Sequence, residues 1–375
     1  MSQRSGALLA ALAAGMLALA GCGSSDDNSS SSSSAGDSGS STSASSSGGE
    51  SKSGGGPYKI VLSNNYMGNE WRPQMVNVAR FVADRMSDKV DLDVRISDAT
   101  PAAQIQSLQS VIRQRPDAIM IDAASQTALN PVLEQACKQG ILVFSFDQVV
   151  SADCAYKRPQ DYEAQATDAV NWLGTQLRGR GKILMDTGLA GIPLSETYVR
   201  VWRQVLADRY PGIEVVGTFE SQYAPGPELQ GVSAQLARNP QIDGILSGAY
   251  IASDIKALEQ AGRPMVPMTG LDFNGGQKQC EARRLKCFFI GAPAFVSGMA
   301  IERIVRVLDG GEQPRDEIYW DTNYVSAAGD IDFGATQRVE PLKDGENYYA
   351  DGSDSLVTPI TYGDWDITAE DVLAK

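Results

Sequence analysis

From residue 57 onward, short apolar runs alternate with stretches whose apolar residues recur every three or four positions. Lys59-Ile60-Val61-Leu62 reads as a buried strand, and Trp71, Met75, Val78 and Val82 form one face of a helix over 71–86. Val90 to Ile96 alternates as a half-buried strand does, and Thr100-Pro101 reads as the N-cap and first residue of the next helix. Ala118–Ile121 and Ile141–Phe146 are further strands, separated by a helix from about 129 to 139 that stops at Gly140. The rhythm then repeats. Helices over 161–178, 195–208, 227–238, 251–261, 277–284 and 295–308 alternate with strands at 182–186, 213–219, 244–247, 266–271 and 287–290. Strands alternating with helices predict parallel sheets covered on both faces. Two successive runs predict an α/β chain of two doubly wound lobes. The acidic tail, 312–375, is less regular, and its Tyr319-Trp320 and Tyr362-Gly363-Asp364-Trp365 read as packing residues.

Polar residues cluster where the predicted strands end. Ser63 to Trp71 carries three Asn amides, two aromatic rings and one carboxylate between a strand and a helix. In open α/β sheets the carboxyl ends of strands face a crevice, where ligands bind. Asn65, Asn69, Glu70 and Trp71 therefore become candidates for ligand contact, with the last three better placed at the helix entrance. Asp147 and Gln148 follow the strand ending at Phe146 and are candidates for the same reason. Such groups suit a small, neutral, hydroxyl-rich molecule: carboxylates accept charge-assisted hydrogen bonds, amides both donate and accept, and rings cover C–H faces.

With 375 residues, 42% of them hydrophobic, the chain is long enough for two domains. Its formal charge of −14 argues against a nucleic-acid partner, whose phosphates need basic patches. The sequence contains no His, which excludes a Ser-His-Asp triad, and no C-x-x-C, so neither a metal nor a cofactor is expected.

The first 56 residues break the rhythm. Arg4 precedes an apolar run, Ala7 to Ala20, too short for a permanent membrane helix, which ends in Leu19-Ala20-Gly21-Cys22. This resembles the lipobox of bacterial lipoproteins, which implies lipidation of Cys22 and a signal peptide over 1–22. Residues 23–56 hold 17 Ser and 8 Gly and no aromatic residue. Such a segment cannot bury enough apolar surface to fold, and is expected to be a disordered linker. Of the remaining cysteines, Cys137, Cys154, Cys280 and Cys287, an even number in an exported chain points to disulfides. Three pairings are possible, and the local ones, Cys137–Cys154 and Cys280–Cys287, are favoured.

Several stretches in order make the chain resemble the sugar-binding proteins of ABC importers, in the type I periplasmic-binding family that includes ribose- and galactose-binding proteins. They are Gly68-Asn69-Glu70-Trp71-Arg72-Pro73-Gln74-Met75 at the first helix, Asp117 to Ala124, Ile141 to Asp147, and Met268-Thr269-Gly270-Leu271-Asp272. The resemblance covers about 58–320. It implies an N-terminal lobe of 57–157 plus 293–320, a C-terminal lobe of 158–292 plus 321–375, and a three-crossing hinge that closes on ligand. It assigns Asp147 and Asp272 as hydroxyl acceptors and Tyr223 as an aromatic wall. Glu196 falls where ribose binders place an Arg, Gln148 where several members have Arg, Tyr250 where an Asn or Asp is usual, and Ala292 where a Gln is common. These departures leave the sugar open, and the missing arginines count against an acidic one. The resemblance further implies a monomeric binding protein without enzymatic activity, held to the membrane by its lipid alone. Its partners would be an ABC permease and ATPase. The same two-lobe closure also serves receptors that report to a membrane sensor.

Overall fold

The computed structural model describes residues 57–319, 321–360 and 362–374. Cys22, the signal peptide over 1–22, the 23–56 linker and Trp320 lie outside the described residues. Among the described residues no helix is long and apolar enough to cross a membrane.

The first lobe is built from β1 (Tyr58–Asn64), α1 (Trp71–Arg85), β2 (Val90–Ile96), α2 (Pro101–Gln114), β3 (Ala118–Asp122), α3 (Asn130–Lys138), β4 (Leu142–Asp147) and β5 (Tyr156–Pro159). Its five strands pair in parallel in the order β2-β1-β3-β4-β5. The central β1 and β3 are buried on both faces, as a parallel sheet between helices requires, whereas β2 lies at an edge and stays partly exposed. Thr100 caps α2 as the sequence suggests, its hydroxyl accepting from the Ala103 N–H at 3.2 Å. Without an apolar alternation, β5 gave no strand signal.

The second lobe contains α4 (Tyr162–Gln176), β6 (Arg180–Asp186), α5 (Pro193–Arg209), β7 (Gly212–Phe219), α6 (Pro225–Arg238), β8 (Gly244–Leu246), α7 (Ile251–Gln260), β9 (Met268–Leu271), α8 (Asn274–Arg283) and β10 (Cys287–Ile290). The chain then returns to the first lobe as α9 (Val296–Leu308), which shares a core with α1. It crosses back to add β11 (Thr322–Val325) and β12 (Arg338–Pro341). The second sheet runs β12-β11-β10-β9-β8-β6-β7, with β11 antiparallel to β10. Disulfides join Cys137 to Cys154 and Cys280 to Cys287, the two local pairings.

The tail divides between the lobes, whereas the sequence placed all of 321–375 with the second. Residues 322–341 extend the second sheet. Ile360, Ile367, Val372 and a short α10 (Ala369–Leu373) instead bury their apolar side chains in the core around α1 and α9. Asn77 of α1 fixes this end by donating to the Val372 carbonyl at 2.9 Å. The physical reason is apolar cover: Trp365 of the tail and Val82 of α1 both close on Gly298 of α9, so the tail completes the apolar contact between the two helices.

The chain passes between lobes at 159–162, at 290–296 and between Tyr319 and Thr322. The crossings are tied side by side: Gln160 bridges Tyr319, and Gly291 N–H donates to Asn323 Oδ1 at 3.2 Å. Asp321 sits in this strip, its Oδ1 accepting from Thr322 N–H at 2.7 Å, while Oδ2 is buried without a hydrogen-bond partner. Burial pushes its carboxyl up to about 7. A raised carboxyl stabilises the fold while protonated, and that stabilisation disappears as pH rises through about 7. Thermal melts should therefore show Tm falling from pH 5 to pH 8, with Asp321→Asn flattening the fall. Between pH 5 and pH 8 the wild type should lose on the order of 3 kcal/mol more than the variant. Parallel wild-type and variant pH profiles would refute this.

Candidate functional site

Between the lobes lies a narrow cavity of about 50 Å³, below the ~300–1,000 Å³ usual for occupied small-molecule sites, so a sugar-sized ligand requires the lobes to part. The first lobe contributes Tyr66, Asn69, Trp71, Arg72, Asp147 and Gln148; the second contributes Tyr162, Gln165, Ile192, Leu194, Tyr198, Tyr223 and Leu271; Gln160 and Ala292 enter from the crossings.

The floor is an ionic group assembled by three elements of the first lobe. Asp122 ends β3, Asp147 ends β4, and Arg72 stands in the first turn of α1. A cation at a helix N-terminus opposes the helix dipole, so Arg72 needs local carboxylates. Its guanidinium bonds Asp122, donates to Asn64 Oδ1 at 2.9 Å, and lies 3.8 Å from Asp147 Oδ2. It also packs against the rings of Tyr66 and Trp71, 5.0 and 5.3 Å from their centroids. Burial pushes the Asp122 carboxyl up, opposed by the Arg72 charge. Burial works against the Arg72 charge as well, but the two carboxylates outweigh it and hold the guanidinium above its ordinary value.

Asp147 adopts a left-handed backbone, φ +53, which Asp tolerates better than most residues. Its Oδ1 accepts from Gln160 Nε2 at 3.0 Å and from the Tyr162 hydroxyl at 2.8 Å. The amide chain continues across the hinge. Gln165 Nε2 donates to Gln160 Oε1 at 2.9 Å and to the Gly291 carbonyl at 3.0 Å, and the Tyr198 hydroxyl donates to Gln165 Oε1 at 2.9 Å. Trp71 Nε1 donates to the Ala292 carbonyl at 2.6 Å, tying the start of α1 to the second crossing. On the far wall, Gln222 and Tyr223 both take left-handed backbones, and the Tyr223 hydroxyl shares a hydrogen bond with Ser195 Oγ at 3.1 Å. Burial raises Tyr162, Tyr198 and Tyr223, so all three are neutral phenols in ordinary buffers.

Of the residues expected at a ligand, Asn69, Trp71, Asp147, Gln148 and Tyr223 line the cavity. Asn69 donates to the Tyr66 hydroxyl and accepts from Arg72 N–H, so it also shapes the helix entrance. Gln148 is buried, with Oε1 lacking a hydrogen-bond partner. The other five lie off the wall. Asn65 spends its amide on the Ala123 carbonyl. Glu70 is half-buried beside Asp354, and burial raises its carboxyl. Tyr250 stacks on Phe273 at 4.3 Å within the apolar core. Glu196, on the exposed side of α5, lines a separate open groove with Thr187 and Arg200. Asp272 is fully buried behind Leu271 and Ala292; its Oδ2 accepts from Ala292 N–H at 2.9 Å, and Oδ1 lacks a partner. Sequence reasoning passed over Tyr66, Arg72, Gln160, Tyr162, Gln165 and Tyr198. Two signals were available. Arg72 is an unexplained cation at a helix start, and Tyr162 and Gln165 stand three apart on one face of the helix that leaves the first crossing.

A family profile described as periplasmic binding protein domain matches residues 60–312. The chain belongs to this family, and its two parallel-sheet lobes are the type I periplasmic-binding fold. A xylitol-binding protein of Mycolicibacterium smegmatis is 26% identical over 178 residues, 46% of this chain and 50% of that one. The match thus spans about half the length of that curated relative. A solute-binding protein of an ABC transporter from Thermobispora bispora superposes with a TM-score of 0.64 at 23% identity, covering 70% of this chain and 83% of that one. The fructose-binding periplasmic domain of a hybrid two-component system gives 0.60 at 18% identity, covering 70% and 88%.

Removing the floor cation should be costly. Arg72→Met leaves Asp122 buried without its partner and should destabilise the fold by about 3–5 kcal/mol in urea titrations. The double variant Arg72→Met/Asp122→Asn should recover a large part. Equal losses in single and double variants would show that the ion pair is not what Arg72 supplies.

Proposed function

We propose that the chain is an extracytoplasmic receptor that captures a small neutral polyhydroxylated molecule, a monosaccharide or sugar alcohol, between its lobes. A lipid anchor at Cys22 and the 23–56 linker hold it at the membrane as a monomer, where it delivers the solute to an ABC permease and ATPase. It binds and releases without chemical conversion.

The observation that carries this reading is the floor of the cavity. Asp147 Oδ2 is left as an acceptor, with the Arg72 guanidinium 3.8 Å away as a donor. An acceptor and a donor side by side match two neighbouring hydroxyls of one molecule. Gln148 adds an unpartnered acceptor. Trp71, Tyr66, Tyr162, Tyr198 and Tyr223 supply ring faces and neutral phenols for C–H surface and further hydroxyls. The arginine does not invite an anion, because Asp122 and Asp147 already match its charge. Asp272 does not line the cavity; it is buried beside Leu271 and accepts from Ala292 N–H. The xylitol-binding relative supports a polyol.

The fructose-binding neighbour from a two-component system favours a second reading, in which the closed lobes report to a membrane sensor. Co-purification from membranes separates the two: an importer complex supports delivery, a sensor kinase supports reporting.

A thermal-shift screen of pentoses, hexoses and pentitols, xylitol included, should raise Tm by mass action for at least one compound. Silence across this set, with amino acids or nucleosides shifting instead, would sink the assignment. For the compound that binds, Asp147→Asn keeps the left-handed backbone but removes the charge. It should weaken binding by roughly 2 kcal/mol, or about 30-fold, by calorimetry.

A further inference from the structure

The tail makes a fourth passage between the lobes, beyond the three of the hinge. Residues 352–358 are fastened to the second lobe at the start of α8. Asn274 N–H donates to the Leu356 carbonyl at 2.8 Å, Gly275 N–H to the Asp354 carbonyl at 3.0 Å, and Val357 bridges Phe273. The Thr358 N–H and hydroxyl both donate to the Asp272 carbonyl, at 3.2 and 3.0 Å. Lys278 donates to the Gly352 carbonyl and pairs with Asp354 at 2.9 Å. Four residues on, the chain belongs to the first lobe: Tyr362 packs on Phe295 at 5.4 Å, and Trp365 Nε1 donates to Glu302 at 3.1 Å.

One side chain of the first lobe grips the segment while it still lies on the second. Gln74 Nε2 donates to the Ser355 carbonyl at 2.6 Å, and Gln74 Oε1 accepts from Val357 N–H at 2.8 Å. Gln74 is buried, and its Nε2 also donates to the Glu70 carbonyl at 2.9 Å, so it stands one turn beyond the residues that line the cavity. The two helices it connects, α1 and α8, begin at the carboxyl ends of β1 and β9, the edges that face the cleft. Rotating the lobes apart must separate Gln74 from residues 355 and 357, because those residues are held to α8 by a larger number of bonds.

We propose that the tail is a latch, with Gln74 as its catch, that biases the ligand-free chain toward the closed arrangement. A binding-competent state that is already populated raises apparent affinity in proportion to its population. Gln74 is thus a positioning residue for closure and does not touch ligand. The proposal depends on the two-lobe fold and not on which solute binds.

The test needs no ligand. Small-angle scattering of the full chain should give a larger radius of gyration for Gln74→Met than for wild type. Loss of two hydrogen bonds should shift the open-to-closed ratio about tenfold, with an unchanged cooperative melt. Identical radii in two equally folded proteins would overturn the latch. Should the variant fail to fold, hydrogen exchange of the wild type decides. The Val357 amide, which must release on opening, should exchange faster than the Asn274 and Gly275 amides, which stay bonded. Equal protection of all three would refute the proposal.

Discussion

Arg72 brings a full positive charge to the bottom of a water-poor cleft, and the ends of two strands are arranged around it. Asp122 and Asp147 stand on neighbouring strands of a parallel sheet, so their carboxylates emerge on the same edge. Asn64, at the end of the strand next to β3, takes a further hydrogen of the guanidinium. Such a group adds little net stability over an apolar equivalent, but no member can be removed cheaply. It fixes the first turn of α1 against the sheet. Trp71, Asn69 and Tyr66 inherit their positions from that turn.

From this floor, polar contacts run without a break into the hinge. Asp147 holds Gln160 and Tyr162, Gln160 holds Gln165, and Gln165 holds Tyr198 and the Gly291 carbonyl. Two crossings and both lobes are therefore joined by one network whose amides each use both of their functions. A network of this kind tolerates few arrangements, which suits a hinge that must return to one closed geometry. The tail adds a second join on the other side of α1, through Gln74.

The order of strands and helices could be read from apolar periodicity, because parallel strands are continuous apolar runs and the helices are amphipathic. The elements that escaped are those whose burial comes from neighbours: β5, β11 and β12 are short strands without a pattern of their own. Candidate site residues were legible where a polar residue follows a strand, as at Asp147 and Gln148. The rule failed at Asp272, where the same pattern places a carboxylate against the hinge backbone, and at Tyr250, where a neighbouring ring covers the phenol. It overlooked Gln160 because a crossing between lobes carries no periodic signal, and Tyr162 and Gln165 because their spacing on one helix face does not say what that face meets. Only the three-dimensional meeting of two sheets brings those residues to the cavity.

The left-handed backbone of Asp147 bears on how this cleft can diverge. Only Gly adopts φ +53 freely, and Asn and Asp follow at modest cost. β-Branched side chains at this position meet backbone strain before they meet a ligand, and longer unbranched ones carry a strain that Gln222 and Tyr223 already bear on the opposite wall. Descendants of this sequence that come to prefer another solute are therefore steered to change the ring wall and the amides. The carboxylate at the centre of the floor is the part of the site with the narrowest evolutionary exit.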